Sequence, residues 1–105
     1  MSTVEELNDT SIITWADLQG EGDCRALVRT GDRVVQVFGT FGLAAVVIEG
    51  SLDKEHWFQL RDPSGLPLRF TSADGKTILE SPPFVRPRVV GEDANVTVCI
   101  SIRKV

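Results

Sequence analysis

The chain has 105 residues, of which 42% are apolar and 25% charged, with a formal net charge of −4. This is the mixture of an ordinary globular domain with room for one core, and it excludes wholesale disorder. The longest apolar run, residues 43–48, is too short for a membrane-spanning helix, and an acidic chain without a basic cluster argues against a nucleic-acid partner.

The N-terminus MSTVEELNDT carries acids where a secretory leader would carry positive charge, so synthesis in a cytoplasm is expected. Residues 1–11 are polar apart from Val4 and Leu7 and read as a flexible arm ahead of a single domain over residues 12–105. The first strand is expected over residues 12–18, followed by a glycine-bearing break, and a second over residues 24–29, exposed on one side. From residue 34 to residue 62 three apolar runs separated by glycines read as an antiparallel meander. The run at 43–49 is apolar on both faces and predicts a central strand. Strands are then expected at 56–61 and 66–71, joined by the turn signal Asp62-Pro63-Ser64-Gly65, with Asp74-Gly75 as a hairpin turn leading into residues 76–80. Residues 84–90 look extended, but Pro87 cannot donate to a ladder, which predicts an edge strand or a bulge. Residues 96–102 alternate apolar and polar side chains and form the clearest amphipathic strand of the chain.

Eight or nine short strands with connections of two to six residues and no credible helix predict an all-β fold: a two-layer antiparallel β-sandwich, jelly-roll-like, with an immunoglobulin-like topology as the alternative. The two cysteines, Cys24 and Cys99, are expected as buried free thiols rather than a bridge.

The residues hold little chemistry. His56 is the sole histidine; on a strand it would point away from Glu55, and no second histidine or spaced cysteine completes a metal set, so neither a metal site nor a cofactor is expected. No serine stands in a nucleophile elbow, and the glycines of Gly39-Thr40-Phe41-Gly42 suit a turn better than a phosphate loop. The expectation is therefore a non-enzymatic protein. Arg86 and Arg88, on one strand face with Phe84, are read as polar contacts to a protein partner or as guards of an edge. Trp57 reads as core, and Trp15 equally as core or interface.

The segments VQVFGTFG, VVIEGS, HW, LRDPSG and VRPRVVG, ending in VTVCISI, resemble the small β proteins found among the head genes of tailed bacteriophages, several of them capsid cement or decoration proteins. The resemblance covers about residues 34–102. The chain departs from it at Phe41-Gly42-Leu43-Ala44-Ala45-Val46, where relatives often read FGGATV, and at Ser51-Leu52-Asp53-Lys54, where they often read SNDG. It implies a virion structural protein on the capsid surface that binds the major capsid protein lattice and stabilises the head, with a homo-oligomer, dimer or trimer, expected. On that reading Val4, Leu7, Ile12, Ile13 and Trp15 supply apolar arm contacts and Arg86 and Arg88 polar ones. The alternatives are a tail or head–tail connector component and, from other classes, a carbohydrate-binding sandwich or a small hydrolase built on His56.

Overall fold

A computed structural model describes residues 1–27 and 31–103. Ten strands follow in chain order: β1 (Ser2–Glu6), β2 (Thr10–Leu18), β3 (Arg25–Ala26), β4 (Arg33–Thr40), β5 (Ala45–Ser51), β6 (Phe58–Gln59), β7 (Arg69–Phe70), β8 (Asp74–Thr77), β9 (Phe84–Val90) and β10 (Asn95–Arg103). They form two antiparallel sheets, one in the order β1-β2-β10-β4-β8 and the other β3-β9-β5-β6, with β7 also on β5. The expected two-layer sandwich is present.

Set β1 aside, and the order is that of a jelly roll. The chain changes sheet from β2 to β3, again to β4 and again to β5, stays beside β5 through β6 and β7, then changes at β8, β9 and β10. The strands β6 and β7 continue one another along β5, pairing Phe58 with Gly50, Gln59 with Glu49, Arg69 with Val47 and Phe70 with Val46. Between them Leu60 and Leu68 bond to Ile48 and stay in the core, and residues 61–67 close through the predicted turn, where the Gly65 N–H donates to the Asp62 carbonyl at 2.9 Å and Gly65 takes a positive φ of 90°.

The core is the product of period-two alternation. Ile13, Trp15, Val35, Val37, Val96, Val98 and Ile100 point inward from the first sheet and meet Val46, Ile48, Leu60, Leu68, Val85 and Val89 from the second. As expected, β5 is a central strand, and every one of its residues is buried. The loops before β5 and before β10 touch backbone to backbone. A Cβ on Gly42 (φ 57°) would lie 2.6 Å from the Asp93 carbonyl oxygen, so only glycine fits there.

Several sequence expectations are corrected. Residues 1–11 are not a free arm: β1 pairs with β2 from Ser2 opposite Trp15 to Glu6 opposite Ser11, because Ser2, Val4 and Glu6 fall in register with the inward face of β2. The segment 34–62 is not a meander, since β4 and β5 lie in different sheets; alternation specifies a pleat and says nothing of which strand is the neighbour. Asp74 and Gly75 belong to β8, which pairs with β4, rather than to a hairpin turn. β9 is an inner strand. Pro87 is tolerated there because irregular chain runs along that side: Gly22 donates to the Pro87 carbonyl at 2.8 Å and Val89 to the Gly20 carbonyl at 2.9 Å, and no bond is asked of the proline nitrogen. Of the strand expected at 24–29, only Arg25–Ala26 is a strand among the described residues, and residues 28 and 29 lie outside them.

Candidate partner interface

The N-terminal edge brings some of the predicted contact residues together and removes others. β1 is the outermost strand of its sheet. Val4 faces Ile13 across the ladder but, lying at the rim of the sandwich, keeps 46% of its surface exposed, as does Leu7 in the turn that follows. Val4, Ile13 and Ile102 line a cleft of about 230 Å³ between the two sheets, with Ala26 of β3 on its far wall. Ile12 is half-buried on the outer face of the sheet. Ile13 and Trp15 belong to the core; Trp15 is 1% exposed and its indole N–H donates to the Asp23 carbonyl at 3.0 Å. The even division between core and interface for Trp15 resolves to core, because inward register with Ser2 and Val98 places it between the sheets.

The start of β1 is fastened across the sandwich. Ser2 Oγ donates to Asp23 Oδ2 at 2.5 Å, and Arg25 donates through Nε to Ser2 Oγ at 2.5 Å and through a terminal nitrogen to the Ser2 carbonyl at 2.7 Å. Desolvation pushes the Asp23 carboxyl up, but the bonds from Ser2 and the backbone together with the Arg25 charge outweigh it and leave the group below its usual value.

Arg86 and Arg88 do share one strand face, as expected, and that face is the outer side of the second sheet. Their charge is spent within the molecule. Glu49, opposite Arg86 on β5, accepts from Arg86 Nε at 3.0 Å, from Arg88 Nε at 3.2 Å and from a terminal Arg88 nitrogen at 3.3 Å. Arg86 also donates to Glu21, and its guanidinium lies 4.2 Å from the centroid of the Trp57 ring. Lys54 lies over the Phe84 ring at 4.8 Å. Trp57 is half-buried rather than core, since it serves as the platform for Arg86. Sequence reasoning missed Glu49 as the hub of this network; the one signal was an acid inside the apolar run VVIEGS, where an unpaired carboxylate would be costly.

Ser51, Asp53 and His56 form a hydrogen-bonded chain, yet not the order a hydrolase needs. Asp53 stands between the other two: Ser51 Oγ donates to Asp53 Oδ1 at 3.0 Å, and His56 Nδ1 lies 2.7 Å from Asp53 Oδ2. A nucleophile would have to bond to the imidazole rather than to the carboxylate. Asp53 Oδ1 also accepts the backbone N–H groups of Glu55 at 2.9 Å and His56 at 2.8 Å, and these bonds, the His56 N–H foremost, hold its carboxyl far below the usual range. Here the sequence expectation fails in detail. Glu55 and His56 continue the bend of residues 53 and 54 instead of starting a strand, so ligand atoms of Asp53, Glu55 and His56 fall within 4.8 Å of one another. All three are exposed, and Asp53 is occupied in closing the loop.

Two further carboxylates close loops in the same manner. Asp62 accepts from the Ser64 hydroxyl at 2.6 Å and from the Ser64 and Leu66 N–H groups at 2.9 and 3.1 Å, and the Ser64 hydroxyl above all lowers its pKa. Glu80 is pushed up by desolvation but held below its usual value by the Arg61 side chain and backbone. The two cysteines are free and half-buried; Cys99 lies on the outer face of the first sheet and Cys24 just before β3 in the second.

No protein-family model and no curated protein matches the chain. Among solved structures it is similar to protein NMB1881 from Neisseria meningitidis, at a TM-score of 0.52 and 12% identity over 97% of this chain and 83% of that one. A likeness at that identity extends to the fold: an all-β sandwich.

Proposed function

We propose that this chain is a bacteriophage virion structural protein of the capsid cement type, which binds the major capsid protein lattice and stabilises the head through contact alone. The observation that carries the reading is how side chains are spent. The carboxylates of Asp23, Asp53, Asp62 and Glu80 hold loops and strand ends, and Glu49 holds Arg86 and Arg88, whereas Val4 on the outermost strand and Leu7 in the turn after it stand half-exposed. An edge with apolar side chains beside it suits strand addition or packing against another protein. The segment resemblance from VQVFGTFG to VTVCISI supports the choice of the capsid as that protein. Weak contact by each copy sums over a lattice that presents the same site many times.

With β1 fastened by Arg25 and Asp23, the contact is made by a preformed edge instead of a loose arm, so less ordering entropy opposes binding. Arg86 and Arg88 support the sheet and take no leading part in the contact. The carbohydrate-binding reading lacks a row of exposed rings on one sheet face, because Trp57 and Phe84 are each covered by a cation and Phe38 and Phe58, each 42% exposed, lie in different sheets.

The test is composition and position in the particle. Purified virions should contain the chain in fixed ratio to the major capsid protein, with matching density on the outside of the head. Density in the tail or at the portal would replace the cement role by a tail or connector role, and recovery from infected-cell lysate but never from virions would reject both.

A further inference from the structure

Asp74-Gly75 is the only Asp-Gly step in the chain, and no Asn-Gly step occurs. It opens β8, the outermost strand of the first sheet at the side away from β1, and both residues are exposed. The ladder does not hold the amide between them. Ile78 N–H donates to the Arg33 carbonyl at 2.9 Å, one step beyond the pairing of Thr77 with Val34. Bonded and unbonded pairs alternate in an antiparallel ladder, so Lys76 and Asp74 turn their main-chain groups to β4 while the Gly75 N–H points to the open edge. There it meets the side chain of the preceding residue, donating to Asp74 Oδ1 at 2.8 Å. The Gly75 nitrogen therefore lies against a carboxyl group whose carbon, Cγ, is one bond from the contact.

We infer that Asp74 and Gly75 form a site of spontaneous main-chain rearrangement, in which the Gly75 nitrogen attacks Asp74 Cγ and closes a succinimide that hydrolyses to an isoaspartyl link. The N–Cγ bond forms as one Cγ–O bond of the neutral carboxyl breaks, and the hydroxyl leaves with the amide proton as water. Water then opens the ring: cleavage of N–Cγ restores aspartate, and cleavage of the bond from nitrogen to the Asp74 main-chain carbonyl carbon leaves the chain running through Cγ. No oxidant or reductant is involved. Three features favour this step over the other aspartates. Gly75 has no Cβ to shield its nitrogen, whereas each other aspartate precedes a residue with a Cβ, and Pro63 after Asp62 has no N–H at all. Asp74 is the first residue of an edge strand, where local opening lets the peptide rotate into line for attack. The hydrogen bond keeps the two reacting groups together. The product carries one more methylene in the main chain, so the pairing of Asp74 with Val37 and Gly75 with Gln36 is lost, and it bears a free α-carboxylate that an isoaspartyl methyltransferase using S-adenosylmethionine would esterify. The inference is independent of the capsid reading, since it needs only the edge of β8.

Ageing the folded chain at 37 °C and pH 6, followed by digestion and peptide mapping, tests it. Isoaspartate is read as a peptide of unchanged mass and altered retention, placed by fragmentation, and as methyl groups taken up from S-adenosylmethionine with the purified methyltransferase. The product should accumulate at Asp74 ahead of every other aspartate, at a rate within about tenfold of that in a synthetic peptide of residues 72–77, because the edge amide is as open as in a free chain. Gly75→Ala should slow it by about tenfold or more with Tm unchanged, since a Cβ there would meet nothing nearer than the Val35 carbonyl oxygen at 3.6 Å. Asp74→Glu, which would need a larger ring, should abolish it and serves as the second variant. No isoaspartate at Asp74 while the peptide converts, equal accumulation in Gly75→Ala, or faster change at another aspartate would each overturn the inference.

Discussion

Glu49 is the sharpest place to test how the second sheet is held. Its carboxylate is nearly buried and faces two guanidinium groups, with the Arg86 side chain 16% exposed and the Arg88 side chain 41% exposed. Glu49→Ala leaves two cations side by side. Removing one partner of a buried pair costs about 3–5 kcal/mol, because the survivor stays desolvated without a counter-charge. Here Arg88 can turn towards water and Arg86 keeps Glu21 and the Trp57 ring, which reduces the expectation to about 2–3 kcal/mol. For a domain of this length that corresponds to a fall in Tm of roughly 10–20 °C. Urea unfolding followed by tryptophan fluorescence and circular dichroism measures it, with Trp15 reporting the first sheet and Trp57 the second. The paired variant Glu49→Leu with Arg86→Met, which removes a buried charge of each sign, should recover most of the loss. A change below about 0.5 kcal/mol in Glu49→Ala would place the network with ordinary surface pairs, and no recovery in the paired variant would trace the cost to packing rather than to charge.

Trp15→Ala should cost about 3–5 kcal/mol, enough to leave much of a marginally stable domain unfolded at 37 °C, and a loss under 1 kcal/mol in urea would contradict the core placement. Acid should destabilise the fold. Asp53 and Asp62 have folded pKa values depressed below their unfolded ones near 4, so the stability they contribute is complete above about pH 5 and drains away as pH falls through the lower folded values; Tm measured from pH 6 to pH 2 should fall below about pH 4, less steeply in Asp62→Asn, and a flat profile would refute the assignment. On the capsid reading, Val4→Lys with Leu7→Lys should lower binding to heads in co-sedimentation by tenfold or more while Tm shifts by only a few degrees; unchanged binding would remove the β1 edge from the contact.

The reach of the sequence is clearest at β9 and β10. Their residue patterns located both strands almost to the residue, since alternation at period two is a local property of the chain. The turn at Asp62-Pro63-Ser64-Gly65 was legible for the same reason: its geometry depends on four neighbouring residues. β1 was not. Its outward residues are polar, and what makes Ser2–Glu6 a strand is the register with β2 and the clasp of Arg25 and Asp23 on Ser2, groups more than twenty positions away.

The candidate contacts divide along the same line. That Arg86 and Arg88 share a face follows from spacing alone; that both bond to Glu49, with Trp57 beneath Arg86, depends on β5 lying next to β9. His56, Glu55 and Asp53 converge because the chain still bends at Glu55 and His56, where the start of a strand was expected. The amino-acid order by itself located most of the strands, the turn at residues 62–65 and the sandwich class, because alternation and turn geometry are set within a few residues. Which strands became neighbours, and therefore which charges are spent and which faces stay open, was decided by the tertiary structure, since pairing energy is gained only when segments distant in the chain meet.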